Sequence, residues 1–239
     1  HDALRLRFTQ TADGWEQTEA APGGAAPLAV VDLADVPDAD LHQAIEQAAG
    51  AAQASLDLAA GPLLRVVYMN AGAQRPGRLL FVIHHLAVDG VSWRVLLEDF
   101  QSVYGQLAAG NEAILPPKTT SFKAWSEKLA AYAASDALAP ELDFWRHVAE
   151  GPLAALPIDF PGGDNREASA EAVRVALTTD ETRGLLIDAA AAYGAEINEV
   201  LLTALAQTLA AWPGGGDLLI NLEGHGREDL FVDVDVSRT

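Results

Sequence analysis

Residues 79–93, Leu-Leu-Phe-Val-Ile-His-His-Leu-Ala-Val-Asp-Gly-Val-Ser-Trp, constrain the fold more than any other stretch of the chain. Side chains of a strand alternate between two faces. Leu79, Phe81, Ile83 and His85 therefore share one side, and Leu80, Val82 and His84 the other. A strand that is apolar on both faces belongs inside an α/β sheet. Two imidazoles at its end stand where core gives way to cleft, and only one of them can point into a given cavity. Asp89-Gly90 then turns the chain into a helix starting near Ser92, with Trp93, Leu97, Phe100, Tyr104 and Leu107 along one apolar stripe.

The flanking sequence supports the same fold class. Strands are expected at Leu4–Phe8, Leu28–Leu33, Leu63–Met69 and Arg78–His85, with a helix over Asp40–Ala54. Residues 11–26 are expected as turn and loop. Two helices, Ser121–Ala134 and Asp136–Ala149, follow a Pro-containing connector. Pro152–Glu167, with three prolines among Gly and Asp, is the expected linker between lobes. The pattern then restarts. A strand is expected at Ala172–Leu177 and a helix at Thr179–Tyr193. A further helix, capped by Asn198, carries Leu201, Leu205, Leu209 and Trp212 and is ended by Pro213 with three glycines. A last strand, Leu218–Leu222, runs into Glu223-Gly224-His225-Gly226-Arg227.

Composition removes several function classes. Fifteen basic against 34 acidic residues give a net charge of −19, which opposes binding to nucleic acid or an anionic membrane. No apolar run approaches the roughly 20 residues needed to span a bilayer. With no cysteine, disulfides, thiolate nucleophiles and Cys-ligated metals are excluded, and a cytoplasmic location fits. The chain opens with His1, not Met, and runs straight into strand-like sequence, as a fragment would.

The chemistry-bearing groups are imidazoles and carboxylates. His84, His85 and Asp89 could be read as metal ligands, but adjacent histidines on a strand diverge and no further ligand cluster stands nearby. Proton transfer suits them better. The N-terminal amides of the helix after Asp89 would favour a developing negative charge beside them.

The segment His84-His85-Leu86-Ala87-Val88-Asp89-Gly90-Val91-Ser92-Trp93 resembles the signature of the condensation-domain superfamily of nonribosomal peptide synthetases. Gly90 and the Ser92-Trp93 extension are most like its epimerization branch. Glu223-Gly224-His225-Gly226-Arg227-Glu228 resembles the motif that marks that branch, and Ile197–Leu205 the motif between them. His1–Phe8 resembles the early Arg-containing motif. The resemblance covers the whole chain, and family members are about twice as long. It implies two lobes, each like chloramphenicol acetyltransferase, with residues 1–165 as the N-terminal lobe and 166–239 as the start of the second. An incomplete second lobe would leave apolar surface exposed.

The same resemblance implies a reaction. The Cα of an L-aminoacyl or peptidyl thioester, held on the 4′-phosphopantetheine arm of an upstream peptidyl carrier domain, is converted to an L/D mixture. The domain brings no cofactor of its own. His85 and Glu223 match the acid–base positions, and burial would let Glu223 donate as well as accept a proton. Asp89 matches a carboxylate that pairs with an early arginine, at the position of Arg5. His84, Gly90, Ser92, Trp93, His225 and Arg227 would support the site, and Gly224 and Gly226 would let the backbone turn close to the substrate arm. A peptide-bond-forming condensation domain shares the His segment but lacks the Glu223 motif. A non-catalytic recruitment domain would carry degenerate motifs, and a CoA-dependent acyltransferase would need no carrier.

Overall fold

A computed structural model describes the chain except residues 24–26, 151–154, 157, 165 and 212–217. The described residues form two compact units. The first comprises His1–Ala131 and Gly224–Thr239, the second Tyr132–Glu223. The expected division near residue 165 concerns the lobes of the longer family fold, whereas these units place residues 224–239 with the N-terminal part.

The first unit holds both sheets. A 3₁₀ turn, Asp2–Arg5, leads into a hairpin of β1 (Leu6–Thr11) and β2 (Gly14–Glu19), antiparallel with Leu6 opposite Glu19. The expected strand at Leu4–Phe8 thus begins two residues later. The expected loop over 11–26 contains a strand instead: Ala12-Asp13 makes a two-residue hairpin turn, and Gly14, the first residue of β2, takes a φ of 127°. Wholly exposed, β2 gives no alternation of buried positions to read.

A second sheet has the order β3-β4-β5. Strand β3 (Leu28–Asp32) runs parallel to β4 (Leu64–Asn70), and helix α1 (Asp38–Ala54) makes the crossover that parallel pairing requires. Strand β5 (Arg78–Ile83) returns antiparallel to β4. One face of this sheet buries Val67, Met69 and Val82 against α1 through Leu33 and Ala52. The other face sets Phe81 edge-on to Phe100, ring centroids 5.2 Å apart, and packs Ile83 beside Phe8, Leu63 and Ala87. The alternation expected of residues 79–83 is therefore observed. Farther along that second face, Val30, Tyr68 and Leu79 stand in register across the three strands and remain exposed.

Helix α2 (Gly90–Ala108) carries the expected stripe, and α3 (Phe122–Ala133) follows the connector. The segment 224–239 returns to lie on this region. Thr120 N donates to Asp235 O (2.9 Å), Asp235 N donates to Thr120 Oγ1 (3.0 Å), and Trp125 meets Phe231 edge-on.

The second unit is helical. Helix α4 (Leu142–Glu150) follows a 3₁₀ turn, Ala139–Glu141. Helix α5 (Thr179–Arg183) continues through a π turn, Gly184–Ala189, into α6 (Ala190–Tyr193), giving the continuous helical run expected there. Thr178 caps it in a reciprocal capping box with Glu181. Helix α7 (Ile197–Ala210) is capped from Glu196, whose N–H donates to Glu199 Oε2 at 2.8 Å, so Asn198 is its second residue and not its cap. Trp212, Pro213 with its glycines, and Pro152 of the expected linker lie outside the described residues.

The strands expected at Ala172–Leu177 and Leu218–Leu222 have no regular secondary structure. A strand needs a neighbour to satisfy its ladder, and none pairs with either segment among the described residues. Val173, Val175 and Leu222 are correspondingly exposed. Every buried apolar side chain among the described residues lies in the first unit.

Candidate active site

The histidine pair sits just past β5. His84 N donates to Leu63 O (2.9 Å), which extends the β4–β5 register by one residue. Ala87 N donates to His84 O (2.8 Å), and Ala87 and Val88 are buried. The loop is thus held at both ends, leaving His84 half-buried and His85 exposed. Leu86 N donates to His84 Nδ1 at 3.1 Å. An amide N–H can only donate, so the neutral ring carries its proton on Nε2. His85 has no hydrogen-bond partner among the described residues.

Asp89 caps α2. Its Oδ1 accepts from Ser92 N (2.8 Å) and from Ser92 Oγ (2.7 Å), while Trp93 N donates to Asp89 O (3.1 Å). The helix begins at Gly90, the first residue after the cap. The end of the helix offered to a developing anion is therefore occupied by the chain's own carboxylate.

Asp89 does not pair with Arg5. Arg5 lies beside the last residue of β2, so its guanidinium reaches Glu19, Asp2 Oδ1 (2.8 Å) and Ala20 O (3.1 Å) and closes its own hairpin. The partner of Asp89 is Arg227. Nη1 donates to Asp89 Oδ2 at 2.7 Å and Nη2 to Oδ1 at 3.1 Å. Nη2 also reaches Ser92 Oγ (3.2 Å), Nη1 reaches His225 O (3.0 Å), and Nε reaches Thr239 O (2.7 Å). The Arg227 guanidinium holds the Asp89 carboxyl well below the usual carboxylate range, against partial burial that pushes it up; the Ser92 N–H and hydroxyl assist.

The segment around Arg227 is shaped as closely. Gly226 takes a φ of 70°, a conformation that glycine adopts without strain, whereas Gly224 does not enter the left-handed region. Arg227 N donates to His225 Nδ1 (3.0 Å), which fixes the His225 tautomer as it does for His84. Trp125 Nε1 donates to Gly226 O at 3.1 Å. Trp125 is a site residue that the sequence reading missed; nothing in its helical spacing sets it apart from other apolar positions.

The structure brings Asp89 and Ser92 together with Arg227, while Gly90 and Trp93 flank them on α2 and His225 and Gly226 precede Arg227. His85 belongs to the first unit, and Glu223 is the last residue of the second. Glu223 is exposed and has no polar partner among the described residues, so the burial expected around it is absent. No group of three metal-ligating side chains is found among the described residues, and no described helix is long and apolar enough to cross a membrane.

The sequence model of the condensation-domain family matches residues 1–239. A linear gramicidin synthase of Brevibacillus parabrevis is 53% identical over 239 residues, covering 100% of this chain and 3% of that protein. Chondramide synthase cmdD of Chondromyces crocatus is 49% identical over 244 residues, covering 100% of this chain and 6% of that protein. The crystal structure of the epimerization domain from the third module of tyrocidine synthetase B aligns with a TM-score of 0.88 at 38% identity, covering 100% of this chain and 54% of that one. The chain thus spans a few per cent of these curated relatives and about half of the solved domain. The expected fold, α/β and like chloramphenicol acetyltransferase, is the fold observed. With the family model matching its whole length, the chain belongs to the condensation-domain family.

Proposed function

We propose that the chain is part of an epimerization domain of a nonribosomal peptide synthetase. The observation that carries this reading is the Arg227–Asp89 clamp, which docks the Gly224–Arg227 segment of the branch-marking motif on the histidine-bearing unit. Similarity to a solved epimerization domain supports it. A family match alone fits condensation equally well, so the activity rests on the motif.

In this reading the domain is an isomerase acting on an aminoacyl or peptidyl thioester. The substrate arrives on the 4′-phosphopantetheine of an upstream carrier domain, in the cytoplasm, and the domain needs no cofactor of its own. One of His85 and Glu223 takes the α-proton and leaves the thioester enolate. The other gives a proton to the opposite face of Cα. In the substrate only the Cα–H bond is broken and re-formed; the proton taken binds the first group, and the second group gives up its own. The exposure of His85 suits a group that must meet an incoming substrate. Asp89, Ser92 and Arg227 fix the loops on which the acid–base groups are carried, with residues 1–165 as the N-terminal lobe and 166–239 as the start of the second.

The test uses the full-length domain with its carrier loaded with an L-aminoacyl group in deuterated water. Deuterium should enter Cα as the D-form appears, and His85→Ala and Glu223→Gln should each lower that exchange by at least about a hundredfold. Unchanged formation of the D-form in either variant refutes the assigned roles. Amide formation with a second loaded carrier, without exchange, would place the chain among condensing domains.

A further inference from the structure

We infer that Trp125 is a positioning residue for the loop that follows Glu223, a role that rests on the epimerization reading for its catalytic consequence but not for its geometry. Helix α3 is otherwise solvent-facing or half-buried, yet Trp125 is only 3% exposed. Its ring lies against Phe231, centroids 5.8 Å apart, and Lys128 from the same helix stands 5.0 Å over the Phe231 ring. The indole N–H points at one atom, Gly226 O.

Gly226 O and Arg227 N belong to one peptide unit, and both of its poles are held. The carbonyl accepts from Trp125 Nε1 at 3.1 Å, and the N–H donates to His225 Nδ1 at 3.0 Å. Gly226, in the left-handed region and without a Cβ, restricts the ψ that helps set this plane less than any other residue would. The two hydrogen bonds supply the preference. Turning the plane would break both, release the His225 ring, and swing the Arg227 backbone away from the point where its guanidinium meets Asp89. Trp125 thereby sets the backbone three residues after Glu223 from a helix that carries no motif residue. A neutral, buried indole suits the task, because it donates once and cannot be drawn off by solvent or by a neighbouring carboxylate.

The experiment compares the full-length wild-type domain with Trp125→Phe, which keeps a ring and removes the donor. A second protein carries 3-benzothienylalanine at position 125, an isostere in which sulfur replaces the N–H. Hydrogen exchange of the Arg227 amide should quicken by roughly tenfold in both, the loss of one part-buried hydrogen bond. With an aminoacyl-carrier substrate, kcat should fall by roughly tenfold while KM stays within about twofold. Val67→Ala, in the core against α1, serves as a control that loses stability and keeps kcat. Unchanged Arg227 exchange in the isosteric protein overturns the positioning role, whatever happens to stability. Faster exchange with unchanged kcat overturns its catalytic consequence. Absence of α-proton exchange in the wild type would overturn the epimerization reading instead, leaving amide exchange to decide the role of Trp125.

Discussion

Replacing Arg227 by Met removes a guanidinium whose side chain is only 13% exposed and which makes five hydrogen bonds. Its partner Asp89 is 42% exposed and can be rehydrated. Breaking a fully buried pair costs about 3–5 kcal/mol, and an exposed pair is worth about 0.2–1 kcal/mol. With one partner buried and the other open, Arg227→Met should cost about 2 kcal/mol. Asp89→Asn keeps an N-cap side chain for α2 and should cost about 1 kcal/mol. The coupling in a double-mutant cycle should be about 1 kcal/mol. The assay is urea unfolding followed by the exchange protection of α2 amides. The pH dependence fixes the sign independently. Asp89 has a depressed folded-state pKa, so its contribution is fully present above the ordinary carboxylate range and is lost as pH falls toward the folded value. The stability difference between wild type and Asp89→Asn should be constant above about pH 5 and shrink below about pH 4. A coupling within about 0.3 kcal/mol of zero, or a difference that grows on acidification, refutes the clamp.

Gly226→Ala places a Cβ on a residue with φ 70°; nothing lies within 4 Å of that Cβ, so the cost is conformational alone. It should be about 1 kcal/mol in the same melts. Leu63 is fully buried beneath the histidine loop, and its backbone carbonyl holds His84 N. Leu63→Ala should cost about 2–4 kcal/mol and lower the thermal midpoint; a smaller loss than that of Val67→Ala would contradict its place at the centre of the second core cluster.

Much of the first unit could be read from residue order. Alternation in residues 79–83 gave the two faces of β5, and the stripe from Trp93 to Leu107 gave α2. The failures have distinct causes. The hairpin strand β2 was missed because a wholly exposed strand of Trp, Glu, Gln and Thr carries no burial period. The two strands beyond residue 170 are expected from apolar runs, but apolarity marks only a willingness to pair, and no neighbour among the described residues pairs with them. Asp89 was assigned to Arg5 by motif position, whereas reach decided the partner: Arg5 is beside Glu19, and Arg227 is carried to Asp89 by the returning C-terminal segment. Glu196 displaced Asn198 as a cap because Glu199, three residues on, can reach back to its N–H. Trp125 could not be singled out, since a hydrogen bond across 101 residues leaves no local trace.

The clamp joins residues 138 apart in the chain. During synthesis the histidine segment leaves the ribosome long before its arginine exists. A nascent chain halted in between carries Asp89 without Arg227, Asp99 without Arg238, and Trp125 without the Phe231 ring that packs on it. These contacts of residues 224–239 with the rest of the first unit can form only once that segment has been made, and until then the Trp125 indole lacks Phe231 and Asp89 lacks its arginine.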